Sequence, residues 1–159
     1  MSGQARSGIG WDSHRLAEGR RLILGGVEIP HDRGLAGHSD ADVLAHAITD
    51  ALLGAAGLGD IGQHFPDTDE RWKDADSIEL LRAVAGMLGE RGLVVVHVDA
   101  TVLMERPKLA PHRDAIRARL AQALGVGADA VSVKASTGEG LGFVGREEGV
   151  AALAVATVT

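Results

Sequence analysis

Apolar residues along this chain fall into two periods. Val43, Leu44, Ala47, Ile48, Ala51, Leu52 and Ala55 recur at three- and four-residue spacing, which predicts a helix over residues 40–56. Ser39 reads as its N-cap, with Asp42 three positions on as capping-box partner, and Gly57 and Gly59 end it. Leu81, Val84 and Leu88 predict a second helix over residues 76–91, stopped by Gly92. Leu109, Ile116, Leu120 and Leu124 predict a third, opened by Pro107. Elsewhere the pattern is extended: a short segment over 8–14, a long strand over 93–105, and further strands over 130–135 and 150–158. Residues 21–30 read as a tight hairpin turning on Gly25-Gly26. Residues 59–73 form a loop rich in Asp, Gly and Pro, and a glycine-rich loop runs from 136 to 149. The last strand is apolar at nearly every position, which fits burial on both faces at a subunit interface and equally a central strand. The order predicts one compact α/β domain of the α+β type, a mixed sheet with helices on one face. The domain is expected over 8–159, after a flexible extension over 1–7.

Composition narrows the class. A chain of 159 residues with 45% hydrophobic residues suits a single core, and with 3% aromatics that core rests on Val, Leu, Ile and Ala. Net charge is −6 and no basic run occurs, so no nucleic-acid partner is expected. There is no Cys, so any metal must be held by His and carboxylates. No apolar run approaches the ~20 residues that span a bilayer, and the expected location is the cytoplasm.

Four clusters carry candidate chemistry. Asp12 and His14, two apart in an extended segment, point to one face and can reach one cation; the plainer alternative is a surface acid beside a turn-stabilising imidazole. His38-Ser39-Asp40-Ala41-Asp42 is followed by His46, on the same helical face as Asp42. Capping explains the acids, but an imidazole among apolar positions needs a partner, and Asp50 one turn on is the candidate for its second ring nitrogen. Asp12, His14 and His46 together make a two-His, one-carboxylate set of the kind zinc accepts with a position left open. The loop holding Asp60-Ile61-Gly62 and Phe65-Pro66-Asp67-Thr68-Asp69 is either a set of turns or a binder of hydroxylated ligands. The segment from Lys134 through Ser136, Thr137, Gly138, Glu139, Phe143 and Arg146 places hydroxyls, free backbone N–H groups and a guanidinium in phosphate-binding order without Walker spacing. Glu139 there suits a hard cation such as Mg²⁺. An unliganded glycine-rich hairpin is the alternative.

Taken in order, Gly10-Trp11-Asp12-Ser13-His14, His38 through His46 to Asp50, Asp60-Ile61-Gly62, Phe65-Pro66-Asp67-Thr68-Asp69, Arg106-Pro107-Lys108 and Lys134 to Gly149 resemble the 2-C-methyl-D-erythritol 2,4-cyclodiphosphate synthase family of the non-mevalonate isoprenoid pathway. The resemblance covers residues 8–158. It implies a metal-dependent, cyclising phosphorus–oxygen lyase that releases CMP from 4-diphosphocytidyl-2-C-methyl-D-erythritol 2-phosphate. It implies Asp12, His14 and His46 as ligands of one Zn²⁺ per subunit, and a Mg²⁺ or Mn²⁺ bridging the diphosphate, with Glu139 a candidate to hold it. It implies His38 and Thr137 as transition-state stabilisers. Asp12, His14, His38, Ser39, Asp60, Ile61, Gly62, Phe65, Pro66, Asp67, Thr68 and Asp69 are then contacts to phosphate and methylerythritol. Met104, Glu105, Arg106, Pro107, Lys108, Leu109 and Ala110 resemble the cytosine pocket, and Ser136, Thr137, Gly138, Glu139, Phe143 and Arg146 the diphosphate segment. The family is a homotrimer with active sites between subunits. Gly138, Gly140 and Glu147 depart from its pattern, and the two glycines imply a more flexible loop. A zinc hydrolase with the same ligands and a non-catalytic trimeric binder are the competing readings.

Overall fold

The computed structural model describes residues 3–159. Strand β1 (Arg6–Ala17) runs beside the long β7 (Gly149–Val158), which also pairs with β5 (Val95–Leu103). Outside these lie β4 (Gly34–Leu35) on one edge and β6 (Val131–Ser136) on the other, giving the order β4-β1-β7-β5-β6. Only the β5–β6 pair is parallel, so the sheet is mixed. The hairpin of β2 (Leu22–Leu24) and β3 (Val27–Ile29) turns on Gly25 and Gly26, both at positive φ, as the sequence predicts. Helices α1 (Val43–Ala56) and α4 (Arg113–Leu124) lie on the sheet, and α3 (Ser77–Glu90) packs against both. One-turn helices α2 (Ile61–His64) and α5 (Gly142–Gly145) sit inside the two predicted loops. No helix among the described residues is long and apolar enough to cross a membrane.

The first strand is longer than expected. Arg6 pairs with Val158 and Ser7 with Thr157, so the domain begins within the predicted extension; Met1 and Ser2 lie outside the described residues. Its even positions face the helices and its odd positions face away. Facing inward are Gly8 and Gly10, and there is no room for any side chain there. A Cβ on Gly8 would stand 2.1 Å from the Ala51 carbonyl oxygen, and one on Gly10 would stand 1.9 Å from that of Ala47. Strand and helix thus meet backbone to backbone, with Ala47, Ala51 and Ala55 on the helix side.

Helix α1 starts at Val43, three residues later than predicted, and its N-cap is Asp42, whose side chain accepts from Ala45 N–H. Ser39 does not cap it. Ala41 sits at φ 57, outside the helical region, so the chain turns between Ser39 and Asp42 before the helix opens. The Asp42 carboxylate also accepts from Gly25 N–H at 2.9 Å and Gly26 N–H at 2.7 Å, clasping the hairpin turn to the helix start. Gly57, at φ 70, ends the helix as expected. Pro107 does not open the third helix: it follows a cis bond, and a 3-10 turn over Ala110–His112 intervenes before Arg113.

The outer face of the sheet stays uncovered. Ile9 is 68% and Trp11 53% exposed, and Leu153 and Val155 beside them on β7 are exposed too. The last strand is therefore central in the sheet and apolar on a face that nothing among the described residues covers.

Gly10→Ala should cost about 1–3 kcal/mol by overpacking and lower the melting temperature; unchanged melting would show that the seam tolerates a Cβ. Burial lifts the Asp42 carboxyl from 3.8 to about 6, the Asp40 charge adding to it and the three N–H donors opposing. A carboxyl raised on folding contributes stability that is full below its unfolded value and is lost as pH rises through about 6. Asp42→Asn should remove a decline on the order of 3 kcal/mol between those pH values, read by denaturant unfolding at stepped pH; an unaltered slope would refute this source.

Candidate metal centre and active site

The seam between β1 and α1 sets three ligating side chains against one another. Asp12 and His14 share the inward face of β1, and His46 lies in the first turn of α1, next to the Ala47 that Gly10 touches. Asp12 Oδ2 is 2.8 Å from His14 Nε2 and 3.1 Å from His46 Nδ1, and the two nitrogens are 3.3 Å apart. These separations are close to the edge of a tetrahedron with bonds of about 2.0 Å, roughly 3.3 Å. The expected trio is thus brought together, and it is the one such group among the described residues.

The surroundings prepare these atoms. His14 Nδ1 is 3.0 Å from the Ala36 carbonyl, which can only accept, so Nδ1 carries a hydrogen and Nε2 is the nitrogen turned to the centre. Gly37 lies against the ring, where a Cβ would be 3.1 Å from it. His46 Nε2 is 2.7 Å from Ser77 Oγ and 3.2 Å from Ser39 Oγ, leaving Nδ1 for the centre. Asp50 does not serve His46, as the sequence suggested; its carboxylate accepts from Ile61 N–H at 2.8 Å and holds the start of α2. Burial raises the Asp12 carboxyl, but hydrogen bonds and charge from both imidazoles outweigh it and hold it at about 2. Burial lowers His46, but Asp12 outweighs this and keeps it above its ordinary value. An anionic oxygen and two directed imidazole nitrogens with an open side fit a divalent cation of the kind that takes nitrogen and carboxylate ligands.

A cavity of about 400 Å³ opens beside the trio. His14, His38, Ser39 and His46 line it from one side, and Ile61, Gly62, Phe65, Pro66 and Asp67 from the other. The Asp60 carboxylate instead caps α2 in a reciprocal box with Gln63, and Asp69 is paired to Arg71 at 2.6 Å while its carbonyl meets His38 Nε2 at 3.0 Å. Thr68 is not among the lining residues. Trp72 and Leu80 complete the wall, and neither stood out in the sequence. Trp72 meets Phe65 edge to face with ring centres 5.0 Å apart, an arrangement that only the folded loop discloses.

The other two clusters line a different cavity of about 200 Å³. Met104, Glu105, Pro107, Lys108, Leu109 and Ala110 face Ser136 and Thr137 across it, with Arg113 beside them. The segments are tied directly: Met104 N–H donates to Ser136 O at 2.9 Å, and Gly138 N–H donates to the Glu105 carboxylate. Arg106 lies outside the lining and pairs with Glu147 at 2.6 Å, while Arg146 pairs with Glu148 at 2.8 Å. Phe143 borders a small hollow by His14, and the Glu139 side chain makes no hydrogen bond among the described residues. Two of the loop's glycines are closely packed, while Gly140, at φ 74, has open space where a Cβ would stand. A Cβ on Gly138 would be 2.8 Å from Gly145 N, and one on Gly145 2.2 Å from Gly140 C.

Fold and site together define a single-domain α+β protein with a metal-type centre at a helix–strand seam. The chain belongs to the YgbB family, whose model matches residues 5–159. It is 67% identical over 153 residues to the 2-C-methyl-D-erythritol 2,4-cyclodiphosphate synthase of Salinibacter ruber, covering 96% of this chain and 98% of that one. The synthase of the same name from Alkaliphilus metalliredigens is 58% identical, covering 96% of each chain. Among solved structures, the bifunctional IspDF of Campylobacter jejuni superposes with a TM-score of 0.94 at 44% identity, over 98% of this chain and 42% of that one. A CDP-bound 2C-methyl-D-erythritol-2,4-cyclodiphosphate synthase gives 0.89 at 42% identity, over 97% of this chain and all of that one. The family expected from the motifs is the family found.

Gly138→Ala should force apart the turns that meet at Gly145 and destabilise the protein by about 1–3 kcal/mol. Thermal unfolding checks it, and an unchanged midpoint would mean that the loop can yield.

Proposed function

We propose that this chain catalyses the reaction for which its relatives are named: conversion of 4-diphosphocytidyl-2-C-methyl-D-erythritol 2-phosphate to the cyclic 2,4-diphosphate and CMP. The observation that carries the reading is the Asp12–His14–His46 trio, its lone pairs converging at the mouth of a cavity large enough for a sugar-alcohol phosphate. In the reaction an oxygen of the 2-phosphate attacks the β-phosphorus. The bond from that phosphorus to the bridging oxygen breaks, and CMP leaves with the oxygen and its electron pair. An anion must therefore attack an anion.

We assign the trio to Zn²⁺, which when bound would offset phosphate charge and hold one phosphate in place. Glu139 is the candidate side chain to hold a Mg²⁺ or Mn²⁺, which when bound would offset the charge of the diphosphate. The chain's own residues bind and align. His38 and Ser39 border the cavity beside the trio, where they can donate to phosphate oxygens. Phe65 and Trp72 give the methylerythritol an apolar wall, and Gly62 lets the backbone approach it. Backbone groups of 104–110 read the base, and Ser136 and Thr137 hold the α- and β-phosphates. Holding both phosphates in one site removes much of the entropic barrier, and no side-chain nucleophile is required.

The two cavities are separate within one subunit. Both serve one substrate if the second cavity of a neighbouring copy faces the first, and the uncovered apolar face of β1 and β7 is the surface by which copies would associate. A homotrimer with active sites between subunits is accordingly part of the proposal.

The test is turnover of the named substrate followed by ³¹P NMR. Wild type should yield CMP and a cyclic diphosphate. His46→Ala should bind little zinc and lose several kcal/mol of transition-state stabilisation, roughly a thousandfold in rate. An open-chain phosphate product would instead make the protein a hydrolase, and full activity without zinc would reject the ligand assignment.

A further inference from the structure

His46 meets the metal position with one ring nitrogen, and what the other nitrogen touches decides whether it can. Its Nε2 lies 2.7 Å from Ser77 Oγ, and the Ser77 side chain is buried. The same hydroxyl is hydrogen-bonded to Asp40 Oδ1. A hydroxyl has a single hydrogen to give. Asp40 Oδ2 accepts from Ser77 N–H at 3.0 Å and its Oδ1 from Asp42 N–H at 3.1 Å, so this carboxylate is arranged throughout as an acceptor. The Ser77 hydrogen therefore goes to Asp40, and the hydroxyl turns a lone pair to His46. Nε2 must then carry a ring hydrogen, which makes Nδ1, facing Asp12 Oδ2 and His14 Nε2, the nitrogen that can give up its hydrogen to take a cation. The Ser39 hydroxyl makes a longer contact with Nε2, at 3.2 Å, and already accepts from Ala41 N–H.

We infer that Asp40 and Ser77 are positioning residues: a carboxylate-to-hydroxyl-to-imidazole relay that fixes His46 in the one tautomer able to ligate the cation. The inference rests on the metal reading of the Asp12–His14–His46 trio. Neither residue touches substrate or metal. Without the carboxylate, the Ser77 hydroxyl is free to donate to Nε2, which would put the ring hydrogen on Nδ1 and aim it at the cation. Asp40 comes from the turn before α1 and Ser77 from the first turn of α3, so the relay also joins the two helices across the centre.

The experiment uses the full chain with ¹⁵N-labelled histidine in wild type, Ser77→Ala, Asp40→Asn and His46→Ala. Zinc affinity is measured by competition with a chelator, folding by circular dichroism, and the His46 tautomer by long-range ¹H–¹⁵N spectra of zinc-free protein in mildly alkaline buffer. Wild type should show hydrogen on Nε2. Ser77→Ala and Asp40→Asn should fold, show hydrogen shared between the two nitrogens, and bind zinc 10–100-fold more weakly, the usual effect of removing such a partner. Wild-type zinc affinity in either variant, or weaker binding with an unchanged tautomer, overturns the relay. Wild-type affinity in His46→Ala overturns the metal reading itself, which the other two variants do not test.

Discussion

Everything at this centre depends on how closely one helix can lie on one strand. Two glycines on β1 remove the side chains that would hold α1 away, and three alanines on α1 meet them. The consequence reaches the site directly, because Asp12 follows Gly10 on the same strand face and His46 precedes Ala47 on the helix. Had either glycine carried a Cβ, the helix would stand off, and His46 Nδ1 could not lie within hydrogen-bond distance of Asp12. Close packing of backbones therefore sets ligand spacing, and the Asp42 clasp on Gly25 and Gly26 fixes where the helix begins along that seam.

The charge arrangement follows from the same geometry. Burial alone would neutralise Asp12, and the two imidazoles more than reverse that. Burial alone would lower His46, and Asp12 reverses that in turn. Asp12 and His46 thus each favour the other's charged form, and a cation bound by the trio would take over that balancing role. A chain of net charge −6 can then serve a polyanionic substrate, since of the acids around the centre Asp12 faces the two imidazoles, and Asp42 and Asp50 face backbone donors.

Periodicity exposed the parts of the fold that packing against one face dictates: the three long helices, the hairpin and the long strands. The trio was legible for the same reason, because Asp12 and His14 share a strand face and His46 interrupts an apolar helical stripe. Boundaries were less legible where side chains fold the backbone locally. Ser39 looked like a cap, but Ala41 at positive φ separates it from the helix, and its hydroxyl serves Ala41 N–H and His46 instead. Asp50 sat at the right helical spacing to support His46, yet Ile61 claims it. Ser77, Trp72 and Leu80 carried no signal, because Ser77 matters through His46, 31 residues away, and Trp72 and Leu80 through a cavity wall that only the folded chain assembles. Gly138 and Gly140 suggested a more flexible phosphate loop; a Cβ on Gly138 would meet Gly145 N at 2.8 Å, whereas Gly140, at φ 74, has open space where a Cβ would stand.

The segment from Ser39 to Asp42 shows how few residues can divide these tasks. Asp42 points into the protein, where three N–H donors surround it. Asp40, two residues earlier, points to α3 and takes the Ser77 hydroxyl. In a continuous helix, residues two apart would splay about 200° around the axis, with the same handed spacing for every pair. The turn at Ala41 frees the segment from that constraint. Asp40 governs the far side of His46, Ala41 reverses the chain, and Asp42 closes the hairpin. A helix beginning at residue 40 would have offered the same two carboxylates to the solvent and the helix dipole, and the centre would have lost its link to α3.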